Sequence, residues 1–275
     1  MDFFIPIITM AALGLVFSIG LVLAYKKLKV EEDPRVEKVA ELLPQANCGG
    51  CGYSGCRAFA EAVVLGKVEV SGCPVGGEEV ARQIAETLGV KAGEMVKKVA
   101  RVHCRGTHEA ALNRGEYFGI NTCYSANIIG GIKQCSYGCL GYGDCVAACP
   151  FDAIYMGEEG LPIVREDKCT ACGKCVDACP RDLIDLCPID QNIIVFCRSH
   201  DRGPAAKKAC RNACIACGIC VRACPEAIVL DKYLAVINDY KKIDPEQISA
   251  IEKCPTDAIG RIHKDDQEEQ KNDEG

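Results

Sequence analysis

The residues with the most definite chemistry are four cysteines in one short run. Residues 169–180 read Cys-Thr-Ala-Cys-Gly-Lys-Cys-Val-Asp-Ala-Cys-Pro, which is the spacing Cys-x2-Cys-x2-Cys-x3-Cys-Pro. Three thiolates at this spacing can bind one [4Fe-4S] cubane, and the fourth cysteine, which a proline follows, ligates a neighbouring cluster. A zinc site more often shows two separated Cys-x2-Cys pairs or added histidines. The run therefore predicts iron–sulfur chemistry.

The preceding run, residues 135–150, keeps this spacing but has one ligand replaced. Tyr142 stands where the second cysteine is expected. Cys135, one turn upstream, is the predicted replacement, and Cys123 and Cys104 are the alternatives. Crossed ligation between the two runs gives two clusters. One cluster takes Cys135, Cys139, Cys145 and Cys179, and the other takes Cys149, Cys169, Cys172 and Cys175.

A second copy of this arrangement follows. Residues 210–225 repeat the pattern of residues 135–150, with Cys217 at the middle position, and Val-Phe-Cys197 parallels Val-His-Cys104. Internal repetition of this kind predicts two modules of the same type. The cluster predicted for the second copy takes Cys214, Cys217, Cys220 and Cys254.

The partner run of the second copy has lost three cysteines. Counting back from Cys254, three other residues stand at the ligand positions: Asp244, Gln247 and Ala250. Cys224 is thereby left without its expected partners. Two interpretations stay open for Cys224. It is a free, buried thiol, or it forms a fifth cluster with Cys187, Cys197 and Cys210.

A further group of cysteines lies on glycine-rich loops nearer the N-terminus. The sequence Cys48-Gly-Gly-Cys51-Gly-Tyr-Ser-Gly-Cys56 is followed by Cys73-Pro74. Glycines let a loop fold tightly around a metal core because they adopt backbone angles that other residues avoid. The flanking segments predict helices over residues 36–43, 57–65 and 78–88. We expect these four cysteines to bind one cubane, with zinc as the alternative.

The chain begins with an apolar segment. Residues 3–25 contain no charged residue and are long enough to cross a bilayer. Lys26, Lys27 and Lys29 follow it, and positive charge after a span predicts that the C-terminal bulk faces the cytoplasm. No basic segment precedes the apolar run, as a signal peptide would require. We expect a single-pass protein of the cell (inner or cytoplasmic) membrane.

The composition limits the functions that this chain can have. The 275 residues include 22 cysteines, and a reducing cytoplasmic location favours thiolate ligands over disulfides. The net charge of −6 gives no reason to expect nucleic acid as a partner. No pattern indicates a catalytic acid, base or nucleophile, or a glycine-rich nucleotide loop. The predicted chemistry is one-electron transfer through four [4Fe-4S] clusters, or five.

These features predict an α+β protein. It has a single N-terminal transmembrane helix, a small helical four-cysteine Fe–S domain and tandem ferredoxin-like modules of the βαββαβ type. The segment after each Cys-Pro pair, such as residues 151–154, is expected to be a short helix that leads into an edge strand. The predicted divisions are a transmembrane anchor at 1–27, a four-cysteine [4Fe-4S] domain at 28–93, a connector at 94–133, a two-cluster ferredoxin-like module at 134–193, a second, partly degenerate module at 194–262 and a disordered acidic tail at 263–275.

Together, the span, the Cys48 to Cys73 domain and the repeats resemble the family of B subunits of the Rnf complex. The segment Cys135-Ser-Tyr-Gly-Cys139-Leu-Gly-Tyr-Gly-Asp-Cys145 resembles the longer form found in anaerobes. The resemblance extends over residues 1–262. Family members often carry four further cysteines in the last run, so the losses near Cys254 leave the number of clusters open.

The resemblance implies a membrane ferredoxin:NAD+ oxidoreductase coupled to Na+ or H+ transport. In it, this chain would take electrons from reduced soluble ferredoxin and pass them to other membrane subunits. Because only a short linker separates the Cys48 to Cys73 site from the membrane segment, we expect electrons to leave through this site. The alternative is a stand-alone membrane-anchored polyferredoxin serving another oxidoreductase, although such a carrier needs no cluster domain beside the membrane. The Cys48 to Cys73 domain also resembles the small cluster domain of corrinoid iron–sulfur proteins, but the chain has no room for their cobamide-binding barrel.

Overall fold

The computed structural model describes residues 4–28, 33–93 and 95–262. Lys29 and the predicted acidic tail, residues 263–275, lie outside the described residues. The helices are α1 (Phe4–Leu28), α2 (Pro34–Leu42), α3 (Cys56–Val64), α4 (Gly77–Leu88), α5 (Cys123–Ile128), α6 (Asp144–Ala147), α7 (Lys174–Asp177), α8 (Gly203–Ala209), α9 (Ile219–Ala223) and α10 (Pro245–Ile251). The strands are β1 (Lys98–Val102), β2 (Ile154–Met156), β3 (Pro162–Val164), β4 (Ile184–Pro188), β5 (Ile193–Val195), β6 (Ile228–Asp231), β7 (Leu234–Ile237) and β8 (Ile259–Arg261). Short 3-10 helices occupy Val70–Gly72 and Tyr240–Lys242.

Helix α1 is apolar on every side. Its segment Ile7–Lys27 has a mean hydropathy of 2.5, and none of that segment is buried inside the protein. A helix that is hydrophobic all round and lacks a protein partner suits a lipid environment. It is the one helix among the described residues with the length and composition to cross a membrane.

Helices α2, α3 and α4 form a small bundle. Val39, Phe59 and Ile84, one from each helix, are almost fully buried at its centre. The Asp33 side chain accepts the N–H of the second helical residue of α2. Gly89, with φ 69°, ends α4 in the left-handed conformation typical of a helix C-terminus. The three helices predicted from sequence are confirmed, with small shifts at their ends.

The strands form four two-stranded antiparallel sheets. β1 pairs with β4 and β2 with β3, and the pattern recurs further along the chain, where β5 pairs with β8 and β6 with β7. We call residues 98–188 the first repeat and residues 193–261 the second repeat. In each repeat the outer pair joins the first strand to the last, so the chain ends of the repeat lie together. β1 lies in the predicted connector but belongs to the outer sheet of the first repeat.

The short helices lie upstream of the Cys-Pro pairs, not after them. Residues 151–153 form a turn that leads into β2, while the four-residue helix α6 precedes Cys149. Asp152 has φ 49°, a left-handed conformation that cannot continue a helix. Asp182 and Asp257 adopt the same conformation at the equivalent positions. The prediction of a short helix after Pro150 is therefore wrong, and the predicted strand that follows is confirmed.

Candidate metal centres

The four N-terminal cysteines line a single cavity. Its thiols are those of Cys48, Cys51, Cys56 and Cys73. Burial raises the pKa of the Cys73 thiol, and the nearby thiols of Cys51 and Cys56 raise it further. The Asn47 Oδ1 accepts the N–H of Cys56 at 2.9 Å, which fixes the loop to the start of α3. The structure thus brings the predicted quartet together.

This N-terminal loop rests directly on the first repeat. A Cβ atom at Gly50 would lie 2.7 Å from the carbonyl oxygen of Cys172, a distance that real Cβ atoms do not reach. Burial raises the pKa of the Cys172 thiol, and the thiols of Cys48 and Cys149 raise it further. Glycine at position 50 therefore permits a backbone contact between two groups of cysteines.

The second group is also brought together as predicted from sequence. It consists of Cys149, Cys169, Cys172 and Cys175. Burial raises the pKa of the Cys175 thiol to about 12, and its neighbours Cys169, Cys172 and Cys149 raise it further. The N–H of Ala100, on β1, donates to Cys169 Sγ at 3.4 Å. The pairing of β1 with β4 thereby supplies a backbone donor to this site.

The third group contains Cys123 where Cys135 is predicted from sequence. Burial raises the pKa of the Cys145 thiol to about 12, and the neighbouring thiols that raise it further are those of Cys139, Cys123, Cys179 and Cys175. Cys123 is the first residue of α5, and its N–H donates to the Asp144 carboxylate at 2.9 Å. The other carboxylate oxygen accepts the N–H of Tyr124 at 2.9 Å. Asp144 thus ties α5 to the motif that carries Cys145.

The second repeat holds a group that matches its sequence prediction. The thiols of Cys214, Cys217, Cys220 and Cys254 line one cavity. Burial raises the pKa of the Cys220 thiol to about 11, and Cys214, Cys217 and Cys254 raise it further. Cys217 is exposed, unlike every other cysteine of the chain, all of which the structure describes.

The predicted quartet of Cys187, Cys197, Cys210 and Cys224 is not brought together. Cys187 lies on β4 opposite Val99, and Cys224 is buried with its thiol 3.1 Å from Gln247 Oε1. Cys197 and Cys210 instead share a cavity with Cys104 and Cys135, between the two repeats. Cys135, the predicted ligand of the third group, therefore faces a different set of thiols.

The cysteine groups suit clusters better than single ions. Within the described ranges, no three His, Cys, Asp or Glu side chains converge closely enough to hold one metal ion. A tetrahedral zinc site needs four ligands around a single point. The four ligands of a cubane each bind a different iron atom and can stand further apart. The donor set of these cavities, buried thiols with backbone N–H donors, fits [4Fe-4S] clusters.

Comparison with protein families agrees with this chemistry. A family model for an Fe-S cluster matches residues 43–75. A 4Fe-4S dicluster domain matches residues 134–184, and a 4Fe-4S single cluster domain of Ferredoxin I matches residues 211–261. The chain therefore carries several [4Fe-4S] clusters, and the zinc alternative for the N-terminal group is not supported.

Known proteins with high sequence identity to this chain show which family it belongs to. The B subunit of the Na(+)-translocating ferredoxin:NAD(+) oxidoreductase complex of Acetobacterium woodii is 50% identical over 257 residues, 93% of this chain and 77% of the relative. The proton-translocating counterpart of Clostridium ljungdahlii is 44% identical over 261 residues, 93% of this chain and 91% of the relative. The B subunit of the ion-translocating oxidoreductase complex of Methanosarcina acetivorans is 44% identical over 205 residues, 74% of this chain and 78% of the relative. The chain belongs to the family of Rnf complex B subunits.

As an Rnf B subunit, the chain is an electron-transfer component of an ion-translocating ferredoxin:NAD(+) oxidoreductase. It works with other subunits of that complex, which sets aside the alternative of a stand-alone carrier. The apolar α1 fits a membrane anchor for a subunit of this complex.

Four cysteines that have other thiols as neighbours lie outside the segments matched by the family models: Cys104, Cys123, Cys197 and Cys210. Cys104 and Cys123 precede the dicluster segment in the chain, yet each lies beside cysteines of other groups. Sequence reasoning named both only as alternatives to Cys135. The repetition of Val-His-Cys104 as Val-Phe-Cys197 was the available signal that Cys104 and Cys197 have equivalent positions.

Proposed function

We propose that this chain carries electrons one at a time from soluble ferredoxin to the membrane subunits of its complex. A bound [4Fe-4S] cluster accepts and releases one electron, and the surrounding protein tunes its potential. The observation that carries the proposal is the order of the cysteine groups. They run from a loop tethered to α1, across the first repeat, to the exposed Cys217 of the second repeat.

The proposed ligand sets follow the neighbours of each thiol. Three of them keep the sets predicted from sequence, and the third group takes Cys123 in place of Cys135. Asp144 supports this exchange because it holds the N–H of Cys123 beside Cys145. The proposed sets are Cys48, Cys51, Cys56 and Cys73; Cys149, Cys169, Cys172 and Cys175; Cys123, Cys139, Cys145 and Cys179; and Cys214, Cys217, Cys220 and Cys254.

The two repeats are proposed to be ferredoxin-like modules. Each places two short helices after its first strand, then a hairpin, a third helix and a last strand that pairs with the first. This order supports the βαββαβ type. The first module then runs from 98 to 188 and the second from 193 to 261, so residues 98–133 move from the connector into the first module.

The direction of electron flow is proposed to be from the second repeat toward the membrane. Cys217 is exposed, so a soluble donor can approach this end of the chain. At the other end, Cys48 lies 20 residues after Leu28, the last residue of α1. Lys26 and Lys27 at the end of α1 support a single span with the cysteine-rich bulk on the cytoplasmic side.

The test uses the assembled complex with the Cys51→Ala variant. Reduced ferredoxin should still reduce the remaining clusters, which EPR detects, while NAD+ reduction stops. The matched control is Cys187→Ala, because Cys187 belongs to none of the proposed sets; it should keep both signals. If Cys51→Ala instead blocks reduction of every cluster by ferredoxin, the N-terminal group is the entry point and the proposed direction is reversed.

A second variant tests the contact between groups without removing a ligand. Gly50→Val places side-chain atoms against the Cys172 carbonyl and must displace the N-terminal loop. Iron content should stay unchanged, while ferredoxin-driven NAD+ reduction falls at least about tenfold. Gly115→Ala is the control, since a Cβ there meets no atom within 4 Å.

A further inference from the structure

The cavity between the two repeats has no role in the assignments above. Four thiols line it, Cys104 and Cys135 from the first half of the molecule and Cys197 and Cys210 from the second. A Cβ atom at Gly106 would lie 3.4 Å from Cys104 Sγ and 3.7 Å from Cys210 Sγ, so both sulfurs face the same point of the backbone. Thiols from both halves therefore meet at one site.

The two halves contribute their cysteines in the same way. Cys104 follows β1 and accepts the N–H groups of Gly106 and Cys139, each at 3.4 Å. Cys197 follows β5 and accepts those of Ser199 at 3.4 Å and Cys214 at 3.3 Å. In both cases the donors are the residue two positions on and the first cysteine of the adjoining motif. The repetition that builds two repeats also builds two matching half-sites.

The other two cysteines share this correspondence. Cys135 stands four residues before Cys139, and Cys210 stands four residues before Cys214. Both are buried, with 7% and 6% of their surface exposed. Backbone N–H groups two residues on, at Tyr137 and Asn212, face their sulfurs. All four thiols thus have the backbone donors that bound cluster sulfurs typically accept.

A buried cation, Lys133, lies beside the cavity. Lys133 is 3% exposed, and its Nζ donates to the carbonyl oxygen of Gly106. No Asp or Glu lies within ion-pair distance of Lys133 in the part of the chain that the structure describes. A buried ammonium without a counter-charge is costly. Four thiolates around iron would carry negative charge and would supply that counter-charge.

A second cation, Arg181, also contacts the wall of the cavity. Arg181 donates from Nη1 to the carbonyl oxygens of Cys135 and Gly138, each at 3.2 Å. Two cations, one of them buried, therefore contact the wall of a cavity that contains four thiols.

We propose that Cys104, Cys135, Cys197 and Cys210 bind a fifth [4Fe-4S] cluster that joins the two repeats into one electron path. The inference rests on the proposed function for its role in electron transfer. One hydrogen bond links each end of the site to a neighbouring group, from Cys139 to Cys104 and from Cys214 to Cys197. Transfer through the site moves a single electron and neither makes nor breaks a bond.

Metal and sulfide analysis of the unaltered full chain, purified anaerobically in detergent, decides the inference without any variant. We expect about twenty iron atoms and about twenty sulfides per chain, against about sixteen of each for four clusters. Sixteen iron atoms, or one equivalent of zinc held by these four cysteines, would overturn the fifth cluster. Either result leaves the proposed function standing, because Cys51→Ala tests that function independently.

The variant Cys104→Ala/Cys210→Ala tests the ligands. It should lose about four iron atoms per chain, and the spin count of the dithionite-reduced chain by EPR should fall by one cluster. Cys224→Ala is the control, since Cys224 is buried but outside every proposed set, and it should keep the full iron content. Retention of all iron by the double variant contradicts the assignment.

If the double variant does not fold, Lys133→Gln still tests whether a cluster lies in this cavity. It keeps all four thiols and removes the buried positive charge, so the iron content should be unchanged while one cluster becomes harder to reduce in an EPR-monitored titration. An unaltered set of midpoint potentials contradicts the position of the cluster beside Lys133.

Discussion

The two repeats share their order of helices and strands, but only the first has a second group of cysteines after its hairpin. In the first repeat, the loop before α7 and the helix itself carry Cys169, Cys172 and Cys175. In the second repeat the equivalent stretch is α10, a helix of seven residues. The match to a dicluster domain in the first repeat and to a single cluster domain in the second agrees with this difference.

Helix α10 occupies the lost site through ordinary side-chain contacts. The Gln247 Oε1 accepts the N–H of Asp244 at 3.1 Å and the thiol of Cys224, also at 3.1 Å. Ile251, at the end of the helix, is fully buried. The cysteine that would otherwise complete a second cluster is thereby held by an amide. A capped helix and an apolar anchor can therefore take the structural place of a cluster.

The cores of the repeats differ accordingly. The core cluster of the first repeat has six buried residues, two of them cysteines. The core cluster centred on the second repeat has nineteen, of which six are cysteines and three belong to the first repeat. Because small domains with few apolar residues depend on metal for folding free energy, the first repeat should depend on its clusters more than the second does.

Removing iron should produce the largest difference in stability between the two repeats. With a chelator under anaerobic, reducing conditions, we expect amides of β2 and β3 in the first repeat to lose at least about 100-fold of their hydrogen-exchange protection, or about 2.8 kcal/mol. The matching hairpin of β6 and β7 should lose much less, since its apolar core remains. Equal loss in both hairpins contradicts the inferred difference in metal dependence.

The next largest effect tests whether Cys123 in the first repeat takes the role that Cys217 has in the second. Cys123→Ala should remove one cluster, about four iron atoms per chain, because Tyr142 cannot act as the ligand that Cys217 is expected to provide in the second repeat. The added change Tyr142→Cys should restore the iron by recreating the arrangement of the second repeat. Anaerobic iron analysis measures both.

The outcome also separates Cys123 from the ligand predicted by spacing. If Cys123→Ala keeps its iron and Cys135→Ala alone loses a cluster together with the EPR signal of the first repeat, Cys135 is the ligand. The control is Tyr142→Cys alone, which should keep the full iron content because Cys123 is still present.

Groups of cysteines that belong to the spaced Cys-Pro motifs were predictable from sequence, and groups that include cysteines outside those motifs were not. Cys169, Cys172 and Cys175 stand so close in the chain that local backbone geometry brings them together. The place of Cys104 depends on β1 pairing with β4, whose partners Val102 and Ile184 are far apart in sequence. Spacing carries no information on such a contact, and proximity in sequence favoured Cys135.

One sequence difference could have indicated the role of Cys123. Asp144 in the first repeat corresponds to Ile219 in the second, counting from Cys145 and Cys220. In the first repeat, the Asp144 carboxylate accepts the N–H groups of Cys123 and Tyr124 at the start of α5. The second repeat has its own middle cysteine and needs no such anchor.

Asp144→Ala should therefore weaken the first repeat at a position where the second has no counterpart. The change removes the acceptor of two charge-assisted hydrogen bonds, at a cost of about 2 kcal/mol. Iron release from the native chain to a chelator should become at least about tenfold faster, while the initial iron content stays near that of the unaltered chain. Stopped-flow absorbance at cluster bands measures the rate.

The matched control is Glu158→Gln, an exposed acid on the loop between β2 and β3. It changes the net charge by the same amount but holds no cysteine loop, so its release rate should stay within about twofold of the unaltered chain. If Glu158→Gln accelerates release as much as Asp144→Ala, the effect comes from charge and the role assigned to Asp144 is incorrect.

The smallest expected effect concerns the helix that replaces the lost cluster. Gln247→Ala removes the acceptor for the Asp244 N–H and the Cys224 thiol, at a cost of about 1 kcal/mol to α10. Amide exchange near Ile251 should become about fivefold faster, with no change in iron content. Lys253→Gln, an exposed change just beyond the helix, is the control. A loss of iron in Gln247→Ala would show that the second repeat does hold metal near Cys224, and the contrast between the repeats would then be wrong.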